Sequence, residues 1–159
     1  MVEPRLQPKK NMSNSLVKLN THLIFHVKSS GIHMRANDLE RVSAYIGGTI
    51  RNVGGTPIII GGMPDHIHIL CTIPKNISIS AFIQNIKAKS SKWIKSIDQY
   101  YAKFAWQEGY GAFSVSPSLI DKTINYIRNQ QEHHKKRSSL EEFQSFLEAY
   151  EIATVPKGL

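Results

Sequence analysis

The stretch Pro64-Asp65-His66-Ile67-His68-Ile69-Leu70 sets two imidazoles two residues apart in a run of apolar residues. On a strand, residues i and i+2 project to the same face. His66 and His68 are therefore expected to point the same way, with rings near enough to share one cation. Ile67 and Ile69 would face the opposite side and fill the core. Imidazole suits Zn, Mn, Co or Ni, and tolerates Mg when oxygens complete the shell. Two histidines alone are a sparse motif, and structural histidines fit the same spacing. Asp65 is expected to point away from His66 and is left out of the ligand set. His22 and His26 are expected on the exposed face of an earlier strand.

A second constellation is Tyr126-Ile127-Arg128-Asn129-Gln130. On a helix, positions i and i+4 stack on one face, so Tyr126 and Gln130 would offer a phenol and a carboxamide to one neighbour. Taken singly, such a tyrosine is a core or interface residue and such a glutamine is solvated. Taken with the histidine pair they suggest a mechanism. Two imidazoles and an amide oxygen make three donors with open positions for phosphate oxygens. A cation held there would polarise a phosphodiester and offset charge on the leaving oxygen, while the tyrosine attacks phosphorus to form a phosphotyrosine. Free tyrosine, with a pKa near 10, is only about one part in a thousand ionised at neutral pH. The site must therefore supply deprotonation and in-line positioning. A phosphotyrosine keeps the bond energy, which suits strand joining without ATP better than hydrolysis.

These groups need elements to hold them. From Leu16 to Val27 the positions Val17, Leu19, Leu23, Phe25 and Val27 are apolar, alternating with Lys18, Asn20, His22 and His26, with Ile24 the exception. That period of two predicts a strand with one buried face. Asn37 is the candidate cap of a helix to about Val53, striped by Leu39, Val42, Ile46 and Ile50 and ended by Gly54-Gly55. Thr56 to Ile60 reads as a short strand, Gly61 to Asp65 as a turn, and His66 to Ile73 as the returning strand of a hairpin. A helix from about Ser78 to Ile97 carries Phe82, Ile83, Ile86, Trp93, Ile94 and Ile97 on one side. Its lysines, Lys89 and Lys92 among them, fit a solvated face or a DNA contact.

Trp106 to Ser116 reads as a fourth strand with irregular edges. Its aromatics Trp106, Tyr110 and Phe113 fit core packing or base stacking. Pro117-Ser118 opens a helix from about Leu119 to Lys135, and Ser139 is placed to cap a last one, Leu140 to Tyr150. The order β-α-β-β-α-β, followed by helices that carry the tyrosine, predicts an α+β, ferredoxin-like antiparallel sheet. Helices on one face would leave the other available for a site.

The bulk numbers bound the partners. A chain of 159 residues with 41% hydrophobic content favours one domain and is too apolar for disorder. Residues 15–152 are expected to form that domain, between a flexible segment 1–14 and a tail 153–159. No apolar run approaches the roughly 18 residues of a membrane helix, and the polar N-terminus lacks the core of a signal peptide. The one cysteine, Cys71, in an apolar run, reads as a buried inert thiol in a reducing compartment. Twenty Lys and Arg against twelve Asp and Glu, net +8, favour a polyanion.

Taken together, Met63 to Leu70, Trp106 to Ser114 and Tyr126 to His134 stand in an order that resembles a known family. His66-Ile67-His68 looks like the HUH motif, two histidines around a hydrophobic residue. The chain resembles the single-tyrosine HUH transposases of the smallest bacterial insertion sequences, relatives of the REP-associated tyrosine transposases. The likeness spans about Leu16 to Lys136. It implies a ferredoxin-like or RRM-like sheet and a homodimer in which one subunit's tyrosine helix can complete the other's histidine site. It also implies binding of hairpins near element ends, and cleavage of single-stranded DNA to a 5′-phosphotyrosine and a free 3′-OH with Mg²⁺ or Mn²⁺. Carried over, Tyr126 is the nucleophile, His66 and His68 are metal ligands, and Gln130 is a third ligand. The location implied is the cytoplasm of a bacterium or archaeon, at the nucleoid. His133-His134 matches a family run without a chemical role, and these rings fit packing of a helix end. Arg128 and the run Lys135-Lys136-Arg137 fit DNA phosphates or a solvated helix terminus. A different reading is a domesticated protein that binds DNA or RNA hairpins without cutting; a third is a phosphodiester hydrolase. If roughly six to ten phosphates are contacted, affinity for single-stranded DNA should fall by roughly 10³- to 10⁵-fold between about 50 and 200 mM salt. A flat salt titration would undo the polyanion argument.

Overall fold

Alternating side chains and short turns give seven main elements. They are β1 (Asn20–His26), α1 (Leu39–Asn52), β2 (Thr56–Met63), β3 (His66–Thr72), α2 (Ile79–Lys95), β4 (Gly111–Ser114) and α3 (Ile120–Arg128). The computed structural model describes residues 15–130 and positions 141, 144, 145 and 148. The strands form one antiparallel sheet in the order β2-β3-β1-β4. The α+β class and the expected element order hold. Pro57, which cannot donate to a ladder, lies on the edge strand β2.

The sheet has two differently filled faces. Leu23 and Phe25 of β1 and Ile67, Ile69 and Cys71 of β3 point to one side. There they meet Val42, Ile46 and Ile50 of α1 and Phe82, Ile83, Ile86 and Ile94 of α2, all buried. Burying each such Ile, Leu or Phe side chain contributes roughly 1.5–3 kcal/mol, so this layer holds the sheet. Burial also pushes the Cys71 thiol up to about 12, as befits an inert core cysteine. The other face is not left open, as the sequence had suggested. Leu70, Val115 and Ile127 form a small second cluster there, with Ile59, Ile120, Ile124 and Tyr126 against it, so α3 covers that side. This accounts for Ile24, the exception to alternation in β1: its face is also buried.

Several expected boundaries move. β1 begins at Asn20, because its ladder with β3 ends at the Asn20–Thr72 pair, and Val17 and Leu19 are exposed. Ser78 caps α2 as expected for that residue type, its Oγ accepting from the Ala81 N–H at 3.1 Å. Asn37 does not cap α1. A 3-10 turn, Ala36–Asp38, precedes the helix, and Asp38 occupies the cap position with its carboxylate engaged elsewhere. Gly54 ends α1 at φ +89°, a conformation glycine adopts without strain. β2 runs on through Gly61 and Gly62 to Met63, leaving only Pro64 and Asp65 for the turn.

Trp106 touches the sheet through one bridge to Val27, while β4 is confined to Gly111–Ser114. The Trp106 ring packs edge-on against Phe25 at 4.8 Å and Phe104 at 5.0 Å, and its Nε1 donates to Ser90. Phe113 is buried and Tyr110 packs against the core, so none of the three stands out as an open stacking platform. The helix expected from Leu119 to Lys135 is broken at Asn129 (φ −97°, ψ 21°), with Gln130 helical again beyond it. His133, His134, Lys135, Lys136, Arg137 and Ser139, and the segments 1–14 and 153–159, lie outside the described residues. Positions 141, 144, 145 and 148 are helical, and Ser145 Oγ donates to the Glu141 carbonyl at 3.1 Å. Among the described residues no helix is long and apolar enough to cross a membrane.

A buried polar knot closes the end of α1. The Tyr101 hydroxyl donates to Asp38 at 2.5 Å and accepts from the Arg35 N–H at 2.8 Å, while Arg41 donates to the same carboxylate. Burial pushes the Asp38 carboxyl up, but the bonds from Tyr101 and Arg41 outweigh it and hold the group below its ordinary value. A depressed carboxyl stabilises the fold above its unfolded pKa, and that contribution is lost as pH falls through the folded one. Tyr101→Phe should therefore cost about 1–3 kcal/mol near neutral pH, read as a lower urea midpoint with unchanged slope. The gap to wild type should narrow in acid; a gap independent of pH would refute the assignment to Asp38.

Candidate active site

The register of β1 on β3 decides which side chains share the second face. His26 lies opposite His66, Ile24 opposite His68, and His22 opposite Leu70. Paired residues project to the same side, so His22, His26, His66 and His68 line one surface, underneath α3. His66 and His68 are each 2% exposed, and their ring centroids are 5.1 Å apart. The Tyr126 ring stands edge-on to His68 at 5.7 Å. Gln130, also 2% exposed, brings Oε1 to 3.2 Å from His66 Nε2. One chain thus brings together all four residues that the sequence suggested as nucleophile and ligands.

Gly61 controls how low α3 can sit. A Cβ there would lie 3.3 Å from both the Ile127 side chain and the Ile127 carbonyl. With hydrogen in its place, Ile127 closes onto the sheet, and its neighbour Tyr126 is set over His68. The break at Asn129 then redirects the chain so that Gln130 reaches back to His66. Its amide nitrogen donates to the Tyr126 carbonyl at 3.4 Å, which orients the amide oxygen toward the imidazole.

Asp65 behaves differently from the strand-based expectation. Its Oδ1 is 2.8 Å from His66 Nδ1. Asp65 sits in the turn before β3, so the alternation of the pleat does not govern its side chain. The bond to His66 pulls its carboxyl down to about 2, against burial. An ionised carboxylate can only accept, so the His66 proton in this pair is on Nδ1. In the neutral form of that tautomer His66 Nε2 holds the lone pair and faces Gln130 Oε1 at 3.2 Å, so a cation seated between the two would be bound by both.

The donor set fits a divalent cation of oxygen-tolerant type. Among the described residues no group of three or more His, Cys, Asp or Glu is arranged to hold a metal ion. The available donors are the imidazoles of His66 and His68 and the Gln130 amide oxygen. Phosphate or water oxygens would have to complete the shell, as Mg²⁺ and Mn²⁺ accept.

His22 and His26 are not exposed-face residues. His22 has no exposed surface, and its Nε2 lies 2.9 Å from His68 Nδ1. His26 stacks on His66 at 5.2 Å. The sequence holds both residues at the right parity, but the register that sets them beside the pair is a property of the folded sheet. Arg128 is exposed and lines an open cavity of about 590 Å³ beside Gln130, with Glu40, Gly61 and Asn129. Lys89 and Lys92 are exposed too, but they line a separate groove of about 760 Å³ between α1 and α2, where Tyr45 and Trp93 stack at 4.7 Å. That groove lies on the helical side of the sheet, away from the histidines.

The family described as Transposase IS200 like matches residues 15–130. No curated protein sequence matches the chain. Among solved structures, a protein of Deinococcus radiodurans R1 assigned as a transposase is similar, with 20% identity and a TM-score of 0.58. That match covers 77% of this chain and 98% of the other. A REP-associated tyrosine transposase bound to a REP hairpin is similar at 11% identity and the same TM-score of 0.58, covering 95% of this chain and 98% of the other. At these identities the two structures establish likeness of fold.

The seat of α3 on Gly61 can be tested directly. Gly61→Val should preserve the sheet, at an overpacking cost of about 1–3 kcal/mol, and lift α3. Nuclear Overhauser contacts between the Tyr126 and His68 rings should disappear; their persistence would show that Gly61 does not set the height of the helix.

Proposed function

The chain belongs to the IS200-like transposase family, and on that premise we propose that it cleaves and rejoins single-stranded DNA at element ends through Tyr126. The observation that carries this reading is the approach of Tyr126 to His68 while Gln130 faces His66, within one chain. His66, His68 and Gln130 would hold Mg²⁺ or Mn²⁺. Once bound, the cation would polarise the scissile phosphate and offset charge on the leaving oxygen.

The phenol oxygen of Tyr126 forms a bond to phosphorus as the bond to the 3′ oxygen breaks. The phenol gives up its proton, and the departing oxygen takes one to become a free 3′-OH. The fragment on the 3′ side of the break is left joined to Tyr126 through its 5′ phosphate, as a 5′-phosphotyrosine, and attack by a 3′-OH reverses the step without ATP. Where the imidazoles are almost wholly covered, electrostatic interactions are stronger than in bulk solvent.

The sheet order and the position of α3 support a ferredoxin-like reading of the fold, with the nucleophile on an added helix. The partner proposed is single-stranded DNA flanked by hairpins, in keeping with the hairpin carried by the similar REP-associated protein. A homodimer and a nucleoid location belong to the same reading. The net charge of +8 favours a polyanionic substrate.

Incubation with single-stranded hairpin DNA and Mn²⁺ should give a covalent protein–DNA adduct that survives denaturing electrophoresis. Tyr126→Phe should abolish the adduct, and chelation should stop cleavage. Cleavage without any adduct would point to a hydrolase, and hairpin binding without cleavage to a non-catalytic binding protein; either would overturn the proposal.

A further inference from the structure

A metal-ligating imidazole is set up by what its other nitrogen touches, because that contact decides where the lone pair remains. At His66 the partner is a carboxylate, Asp65, 2.8 Å from Nδ1. At His68 the corresponding contact comes from another imidazole: His22 Nε2 is 2.9 Å from His68 Nδ1. His22 lies on β1 opposite Leu70, two residues beyond His68 on β3. The contact is thus a cross-strand diagonal on one face, a distance that long or aromatic side chains span. His22 is wholly buried, and the ring of Phe113, its partner on β4, stands edge-on to it at 6.5 Å. It cannot swing to solvent without disturbing the sheet.

From this geometry, and resting on the cation reading above, we infer that His22 is the positioning residue for His68: its Nε2 accepts the Nδ1 proton of His68 and so keeps the His68 Nε2 lone pair for the cation. The opposite tautomer, with His22 donating to His68 Nδ1, would place hydrogen on His68 Nε2 and remove the ligand. The two ligands are therefore prepared unequally. A carboxylate accepts from His66, whereas a neutral ring accepts from His68. The role requires an acceptor of this reach at position 22. A carboxamide oxygen in His22→Gln can supply it, and the ring of His22→Phe, similar in volume, cannot.

Two measurements test the inference. Long-range ¹H–¹⁵N spectra of the metal-free wild type should show His68 protonated on Nδ1; protonation on Nε2 would overturn the assignment whatever the variants do. Mn²⁺ titrations followed by electron paramagnetic resonance should show His22→Phe binding about 10–100-fold more weakly than wild type, with His22→Gln within a few-fold of it. A His22→Phe protein that keeps the wild-type amide spectrum and binds Mn²⁺ equally well would also refute the role. Failure of the wild type to bind Mn²⁺ would remove the cation reading itself, and with it any role for His22. That result is distinct from weakened binding confined to the phenylalanine variant.

Discussion

The pairing of β1 with β3 is the constraint on which everything else rests. His26 opposite His66 and His22 opposite Leu70 put four imidazoles on one surface, and a slip of one residue would send two of them into the apolar layer. What prevents the slip is on the other face. Leu23, Phe25, Ile67 and Ile69 are locked against α1 and α2, and exchanging them for histidines would bury polar rings without partners there. The hydrophobic layer thus acts on the polar one through the pleat, and the energy that holds the histidines in place is mostly spent where no chemistry occurs.

The two sides of the sheet show a division of labour. The face toward α1 and α2 is continuous and apolar. The face toward α3 mixes a small cluster of Leu70, Val115 and Ile127 with histidines and Gln130, each buried together with polar neighbours. The contacts between Asp65 and His66, His22 and His68, and Gln130 and His66 allow polar rings to be covered without a heavy desolvation cost. They also restrict each ring to one orientation.

Much of this arrangement was legible in the residues, and the remainder has identifiable reasons for being hidden. Spacing alone set His66 and His68 on one face, and the stripes of α1 and α2 announced their buried sides. Tyr126 and Gln130 were read as one helical face, and they do converge on the histidines, though across a break at Asn129 that no strong breaker residue advertises. His22 and His26 were assigned to an exposed surface because alternation reveals parity and not what will cover a face. Asp65 was misjudged because strand geometry was extended one residue into a turn. Gly61 looked like turn chemistry; only the approach of Ile127 shows that a missing side chain is needed inside the strand. The cover over His22 and His26 and the approach of Ile127 to Gly61 are long-range relations, absent from any local window of the chain.

One consequence follows from the length of α3. A helix of nine residues is shorter than the roughly 12–15 that persist alone in water. Its helicity is therefore borrowed from the contacts of Ile127 and its neighbours with the sheet, and docking and coiling form a single equilibrium. The same helix carries the phenol and roofs the imidazoles. Whatever loosens the roof also dismantles the nucleophile's placement, so the chain's reactive groups are aligned only while they are sheltered.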